Sequence, residues 1–252
     1  MQAQLAYLTF EVRRMVRNKR YMLFTLGFPV LFYLLFLHVT GSAGPEARIA
    51  GTTWGAYYMV SMASFAAMIA GFNAGGPRLA GERASGWVRQ LRVTPLPGWA
   101  YVTTKLNAGM VAALPALLLV ELVGAATGHV HLASLTWLEI SLVIWIGAVP
   151  FAALGVLLGF LVGSETSYPL TNAVVFLLAF FGGEFTPVKV LPPVMKDIAR
   201  AMPTYNFSSL GWSLLAGEAP NGIHVLILVG YLVVFSLLVM WRYRGDQAHL
   251  IG

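Results

Sequence analysis

A chain of 252 residues that is 58% hydrophobic and only 10% charged carries far less charge than a soluble domain, where about one residue in four is charged. It has no cysteine, which excludes disulfides and thiolate metal sites, and its net charge is +6. The runs 21–45, 49–77, 106–120, 122–138, 140–164, 166–183 and 219–241 contain no Asp, Glu, Lys or Arg, and most reach the roughly 20 apolar residues that a helix needs to cross a bilayer. The runs do not alternate as barrel strands do. In hydrocarbon a segment must satisfy its own backbone, so the runs predict helices.

In chain order, the first 20 residues predict an interfacial helix. Leu5, Leu8, Val12 and Met15 recur on one side and Arg13, Arg17 and Arg20 on another. Six spans are predicted at about 21–40, 54–75, 101–124, 136–162, 168–184 and 223–242. The basic start is too long, and the apolar run after it too extended, for a cleaved leader, so the first span is expected to persist. Twelve of the sixteen Lys and Arg residues fall in the N-terminal segment, the second connection and the C-terminus. By the positive-inside rule both termini are cytoplasmic. Gly155, Gly159 and Gly163 in the fourth span and Gly71 and Gly75 in the second form small-residue ladders, expected to pack helices within the chain.

Residues 78–97 predict an amphipathic cytoplasmic helix between the second and third spans. Arg78, Glu82, Ser85, Arg89 and Arg92 make its polar face, and Ala80, Ala84, Trp87 and Leu91 the opposite one. Glu82 stands four residues from Arg78, a spacing that permits an ion pair, and Pro95 and Pro97 end the helix. Such a helix suits either docking a soluble partner or simply closing a loop.

After the fifth span the sequence is irregular. Gly182-Gly183-Glu184-Phe185-Thr186-Pro187 is followed by Pro192-Pro193 and a short piece with Val194, Ile198 and Ala201 on one side and Lys196, Asp197 and Arg200 on the other. Pro203 stops that piece, and residues 204–217 are nearly uncharged yet too broken to span. Non-helical backbone at membrane depth survives only when buried in protein or lining a cavity, so 184–217 predicts a broken outer-leaflet element of the kind that forms gates.

Three features carry a resemblance: the basic amphipathic start, the Gly81-Glu82-Arg83-Ala84-Ser85-Gly86 to Thr94-Pro95-Leu96 segment, and the Gly182-Gly183…Pro187…Leu191-Pro192-Pro193…Pro203 signature. In order and spacing the chain resembles the permease subunits of type-2 ATP-binding-cassette (ABC) exporters, over nearly its whole length. The resemblance implies an all-α polytopic membrane protein, a single transmembrane domain over 1–252. It would have six transmembrane helices, the interfacial helix, a coupling helix between helices 2 and 3, and a re-entrant outer hairpin before helix 6. It implies ATPase coupling through Glu82, Arg83, Gly86, Arg89 and Arg92, and an outer gate at Gly182, Gly183, Glu184, Pro187, Pro192 and Pro193. Glu184 departs from the family, which more often has a neutral residue there. The expected partners are ABC ATPase subunits, a second copy or a related permease, and the bilayer of a bacterial cell membrane, with no nucleic acid. This chain is expected to bind no cofactor; ATP and Mg would sit in the partner subunit.

The residues agree with a non-enzymatic role. There is no G-x-x-x-x-G-K-[ST] loop, so another chain must hydrolyse any ATP. His129 and His131 read as loop histidines rather than a metal pair. Phe65, Met68, Phe72, Phe176 and Phe180 are candidates for an apolar pathway at a dimer seam, against the plainer role of facing lipid or neighbouring helices. Glu121, inside the third span, would be either a pathway or proton site or, the favoured reading, a residue at the outer end of a tilted helix reaching the headgroups. An ion-coupled secondary transporter would need a relay of such groups, and Glu121 is the one candidate; a lipid-modifying enzyme would need clustered polar residues at one interface, which the sequence lacks.

Overall fold

The computed structural model describes residues 2–38, 46–49, 51–91, 98–127 and 129–248. The N-terminal segment is a helix, α1 (Gln2–Arg17). The predicted first span, 21–40, is met by α2 (Lys19–Met22), a π-helical turn (Leu23–Gly27) and α3 (Phe28–His38), with residues 39 and 40 outside the described residues. A small hairpin not expected from the sequence pairs β1 (Arg48–Ile49) with β2 (Thr52–Thr53), with Gly51 at a φ of +89° between them.

Thr53 caps the next helix, its hydroxyl accepting from the Ala56 amide at 3.4 Å. That helix, α4 (Trp54–Ala84), runs nine residues past the predicted end of the second span. Arg78, Glu82 and Arg83 do not terminate it because each finds a partner on a neighbouring helix. The turn Ser85–Gly86 and a short α5 (Trp87–Leu91) follow. The continuous amphipathic helix expected over 78–97 is therefore broken. Gly86 takes a φ of +75°, the left-handed conformation that ends helices, and residues 92–97 lie outside the described residues.

The remainder comprises α6 (Gly98–Ala126), α7 (Ser134–Gly147), α8 (Val149–Leu161), α9 (Ser164–Phe181), a 3-10 turn (Val188–Val190), α10 (Pro193–Ala201), α11 (Pro203–Leu215) and α12 (Gly222–Ala248). Helices α7 and α8 form one apolar run, jointed at Ala148 just before Pro150. Helix α9 starts four residues before the predicted fifth span and stops short of Glu184. Of residues 204–217, expected to be too broken to span, most fall in the short helix α11, which Pro203 can open because a proline's missing amide costs nothing at a helix start.

Helix α4 is the axis of the molecule. Its apolar window is wholly buried, surrounded by α3, α6, α8, α9 and α11. Phe65 and Phe72 on it, with Tyr33, Phe151 and Phe207 from its neighbours, are the largest apolar groups of the core. Among the described residues, four helical runs are long and apolar enough to cross a membrane: Trp54–Ala84, Ala100–Ala126, Ser134–Leu161 and Gly222–Tyr243. Leu23–His38 is a shorter apolar helix. Helix α12 is the peripheral one, packed on α8 and α11, with Leu226, Val229, Val233 and Leu237 exposed along one stripe.

The glycine ladders do pack helices within the chain. A Cβ at Gly75 would stand 2.7 Å from the Val156 amide nitrogen, one at Gly155 2.7 Å from the Phe72 Cα, and one at Gly159 2.6 Å from the Gly76 carbonyl oxygen. Helices α4 and α8 thus meet backbone to backbone, the contact that small residues permit in membranes.

Candidate functional site

Both ends of α4 are tied down by polar groups, and these ends form the candidate site. At one end three helices each contribute two residues at i and i+4: Tyr7 and Glu11 from α1, Arg78 and Glu82 from α4, Tyr101 and Lys105 from α6. That spacing puts each pair on one helical face. Lys105, fully buried, donates to Glu11 Oε1 at 2.8 Å and to Glu82 Oε1 at 2.6 Å. The Tyr101 hydroxyl donates to Glu82 Oε2 at 2.7 Å. Arg14 reaches Glu82 Oε1 from the rim at 3.2 Å, and Arg78 Nη1 lies 3.8 Å from Glu11 Oε2. The Lys105 ammonium also stands 5.6 Å and 5.4 Å from the ring centres of Tyr7 and Tyr101, within cation–π range. Two buried cations thus face two buried carboxylates, the balance that makes burial of charge tolerable. Burial alone pushes the Glu11 carboxyl up, but the charges of Lys105 and Arg78 and the Lys105 hydrogen bond outweigh it and hold it below its ordinary value. Burial, then the charges of Glu82 and Glu11, push the Tyr7 phenol well up.

This cluster corrects two of the residues expected to meet an ATPase. Glu82 is only 3% exposed and points into the protein. Arg83 donates to the carbonyls of Gly159 at 3.1 Å and Phe160 at 2.8 Å, covering the end of α8, and lies over the Phe160 ring. Both stay within α4, so α1, α6 and α8 take up their charge. Gly86 is in the turn and Arg89 is on α5; Arg92 lies outside the described residues. The buried face of α1 is Tyr7, Glu11 and Met15, against the protein, with Arg13 and Arg17 outward. Glu11 and Lys105 were legible only as isolated charges; the signal that could have found them is the i, i+4 pair repeated on three segments.

At the other end, α9 stops in a Schellman turn. The Glu184 amide donates to the Ala179 carbonyl at 3.0 Å and the Gly183 amide to the Phe180 carbonyl at 3.4 Å, with Gly183 at a φ of +84°. A Cβ on Gly182 would overlap the Thr204 side chain, whose hydroxyl donates to the Leu178 carbonyl at 2.6 Å. Glu184 is fully buried and accepts from the Ser208 hydroxyl at 2.5 Å. Helix α4 joins this element through Tyr58, whose hydroxyl donates to the Phe185 carbonyl at 2.7 Å. Tyr57 stacks on Trp212 at 4.8 Å, and the Trp212 indole donates to Ser61 at 3.2 Å. Gly182, Gly183 and Glu184 are thus brought together with Thr204 and Ser208. Pro187 lines a cleft of about 660 Å³ with Tyr57, Lys189, Lys196, Arg200, Trp212 and others. Pro192 and Pro193 start α10, whose expected apolar residues Val194 and Ile198 are exposed while Ala199 is buried.

Gly183→Ala is expected to lower stability by about 1–2 kcal/mol, because a non-glycine residue is strained in the left-handed region and its Cβ would meet Val188. Thermal unfolding in mild detergent reads this, with Gly230→Ala, around which nothing lies within 4 Å, as a control that stays at or above the parent.

The proposed pathway residues divide. Phe65, Met68 and Phe72 are fully buried in the core of this one chain, because five helices enclose α4, and they are not at a seam. Phe176 and Phe180 are 37% and 49% exposed on the open side of α9. Glu121 does not reach outward. It is 4% exposed; one carboxylate oxygen accepts from the Ser141 hydroxyl on α7 at 2.6 Å, and the other is buried without a hydrogen-bond partner among the described residues. His129 lies 3.4 Å from Glu46, and no group of metal-binding residues occurs among the described residues.

A predominantly helical chain with several apolar helices, and charged groups confined mainly to their ends, is an integral, polytopic membrane protein. A family model described as "ABC-2 family transporter protein" matches residues 50–241. The "Putative transport permease YvfS" of Bacillus subtilis (strain 168) is 34% identical over 238 residues, covering 94% of this chain and 96% of that protein. The chain belongs to the ABC-2 transporter family and is a permease subunit of an ABC transporter.

Proposed function

We propose that the chain is the membrane half of an ATP-driven exporter, moving a lipophilic cargo outward by alternating access. Two permease copies, or this chain and a related one, work with two separate ATPase subunits. Six helices cross the bilayer of a bacterial cell membrane with both termini in the cytosol. The first span is the π-interrupted α2–α3 helix and the fifth is α9; the element at 184–217 closes the outer side. The ATPase pushes on the turn Ser85–Gly86 and on α5. The observation that carries this reading is the continuity of α4, one buried helix fastened to the ion cluster at its cytosolic end and to the Phe185–Trp212 element at its outer end.

The test is co-purification in mild detergent followed by reconstitution. An ATPase with a phosphate-binding loop should accompany the chain, and vesicles holding the pair should move a lipophilic dye only with ATP. Transport by the chain alone without nucleotide overturns the reading. Gly86→Val, in open space but at a positive φ, should distort the turn. Dye transport is expected to fall at least tenfold while membrane insertion is unchanged. Parent-level transport from this variant would remove the turn from the coupling path.

A further inference from the structure

Two clefts open side by side, the first sharing Arg14 and Arg78 with the ion cluster. One, of about 470 Å³, is lined by Arg13, Arg14, Arg17 and Arg78 with Phe10, Asn18, Pro77, Gly81 and Tyr168. The other, of about 640 Å³, is lined by Phe24, Thr25, Phe28, Ile69, Asn73, Asn172 and Phe176, and again by Asn18 and Tyr168. The shared Asn18 and Tyr168 form a common border between the two clefts. Their walls follow helical spacing: Gly81, Pro77, Asn73 and Ile69 step by four along α4, and Tyr168, Asn172 and Phe176 step by four along α9. The helices run in opposite senses between the two ends of the molecule, so the walls match in chemistry level by level.

The lining is graded. No carboxylate lines the arginine cleft. Glu11 and Glu82 lie behind it, bound to Lys105, Arg78 and Arg14, so the five cations of this corner exceed its two acids. In the middle stand Asn73, 7% exposed, and Thr25, 2% exposed; Asn73 Oδ1 and the Thr25 hydroxyl are buried with no hydrogen-bond partner. Buried polar atoms of this kind call for a ligand or water to meet them. Beyond them the lining is aromatic and aliphatic. Thr25 sits in the π-turn Leu23–Gly27, an irregularity frequent at functional sites.

We infer that these adjoining clefts together bind an anionic amphiphile: a phosphate-bearing head on the arginine rim, hydroxyl or ester groups against Asn73 and Thr25, and a hydrocarbon chain between Phe24, Phe28 and Phe176. Guanidinium groups match phosphate oxygens in geometry as well as charge. As cargo, the amphiphile rests on the export reading above and gives it a substrate class; as a ligand, it does not depend on that reading.

The experiment uses the full chain in mild detergent, without ATPase or nucleotide. Native mass spectrometry reads adducts with phosphatidylglycerol, with phosphatidylcholine, and with phosphatidylglycerol in competition with millimolar inorganic phosphate. Phosphatidylglycerol is expected to bind at least tenfold more tightly than phosphatidylcholine and to resist inorganic phosphate. R13Q/R17Q, at two exposed positions, should lose that preference, R13K/R17K should keep most of it, and Arg200→Gln should leave it intact. Equal binding of the two lipids, or an unchanged preference in R13Q/R17Q, overturns the inference. Full displacement by inorganic phosphate also overturns it, leaving a phosphate site without a role for the chain-lined cleft. Any of these failures leaves the permease reading standing, since that reading falls only in the vesicle assay.

Discussion

Lys105→Met is expected to release α1 from the rest of the protein. The ammonium that joins Glu11 and Glu82 is removed, and two buried carboxylates are left facing each other with Arg78 and rim Arg14 as their remaining cations. Breaking a buried ion pair by deleting one partner costs about 3–5 kcal/mol. Thermal unfolding in detergent should show this loss, and protease should cut within residues 2–17 before the remainder. The triple variant K105M/E11Q/E82Q should recover part of the stability, because neutral amides remove the unpaired charge. A parent-like midpoint in Lys105→Met would sink the account.

The same cluster predicts a direction with pH. Glu11 is held below its ordinary value in the folded protein. Such a group contributes stability above its unfolded value, about 4.3, and the contribution is lost as pH falls through the folded value. Hydrogen exchange of the α1 amides should therefore stay slow at neutral pH and accelerate only in acid, below about pH 4.

Gly155→Val carries the second large effect. The new side chain would meet the Phe72 backbone, with Cα and carbonyl oxygen both 2.7 Å from its Cβ. Backbone cannot rotate aside as a side chain can, so α4 and α8 must separate. Overpacking costs typically 1–3 kcal/mol, and this contact belongs at or above the top of that range. Gly163→Ala, on the same sequence ladder but with nothing within 4 Å, should behave as the parent. Equal midpoints for the two variants would show that the α4–α8 approach is not as close as described.

Much of the fold was legible because lipid writes it in simple terms. Charge-free runs mark the apolar helices, and Gly71, Gly75, Gly155 and Gly159 announced tight internal packing. The polar face of 78–92 was legible as a face, but not what it faces. Periodicity groups Arg78 with Glu82; it does not say that α1 and α6 bring Glu11 and Lys105 to meet them. That juxtaposition comes from contacts between residues 23 to 94 positions apart, which no local pattern encodes. The length of α4 was missed for the same reason. Charged residues read as the end of a span when their partners are distant in sequence. Glu121 was assigned outward because Ser141, its partner, is an unremarkable serine on the next apolar run.

Helix α4 spans 31 residues, about 46 Å at 1.5 Å per residue. It is a strut clamped at each tip, braced along its flank by glycine contacts. If the proposed function holds, a push on the Glu82 tip would be carried along this strut to Tyr58 and the Phe185 carbonyl. Within it Pro77 withholds the amide that would bond the Asn73 carbonyl. Pro77 also lines the arginine cleft, so a bend of the strut at that residue would change the width of the cleft.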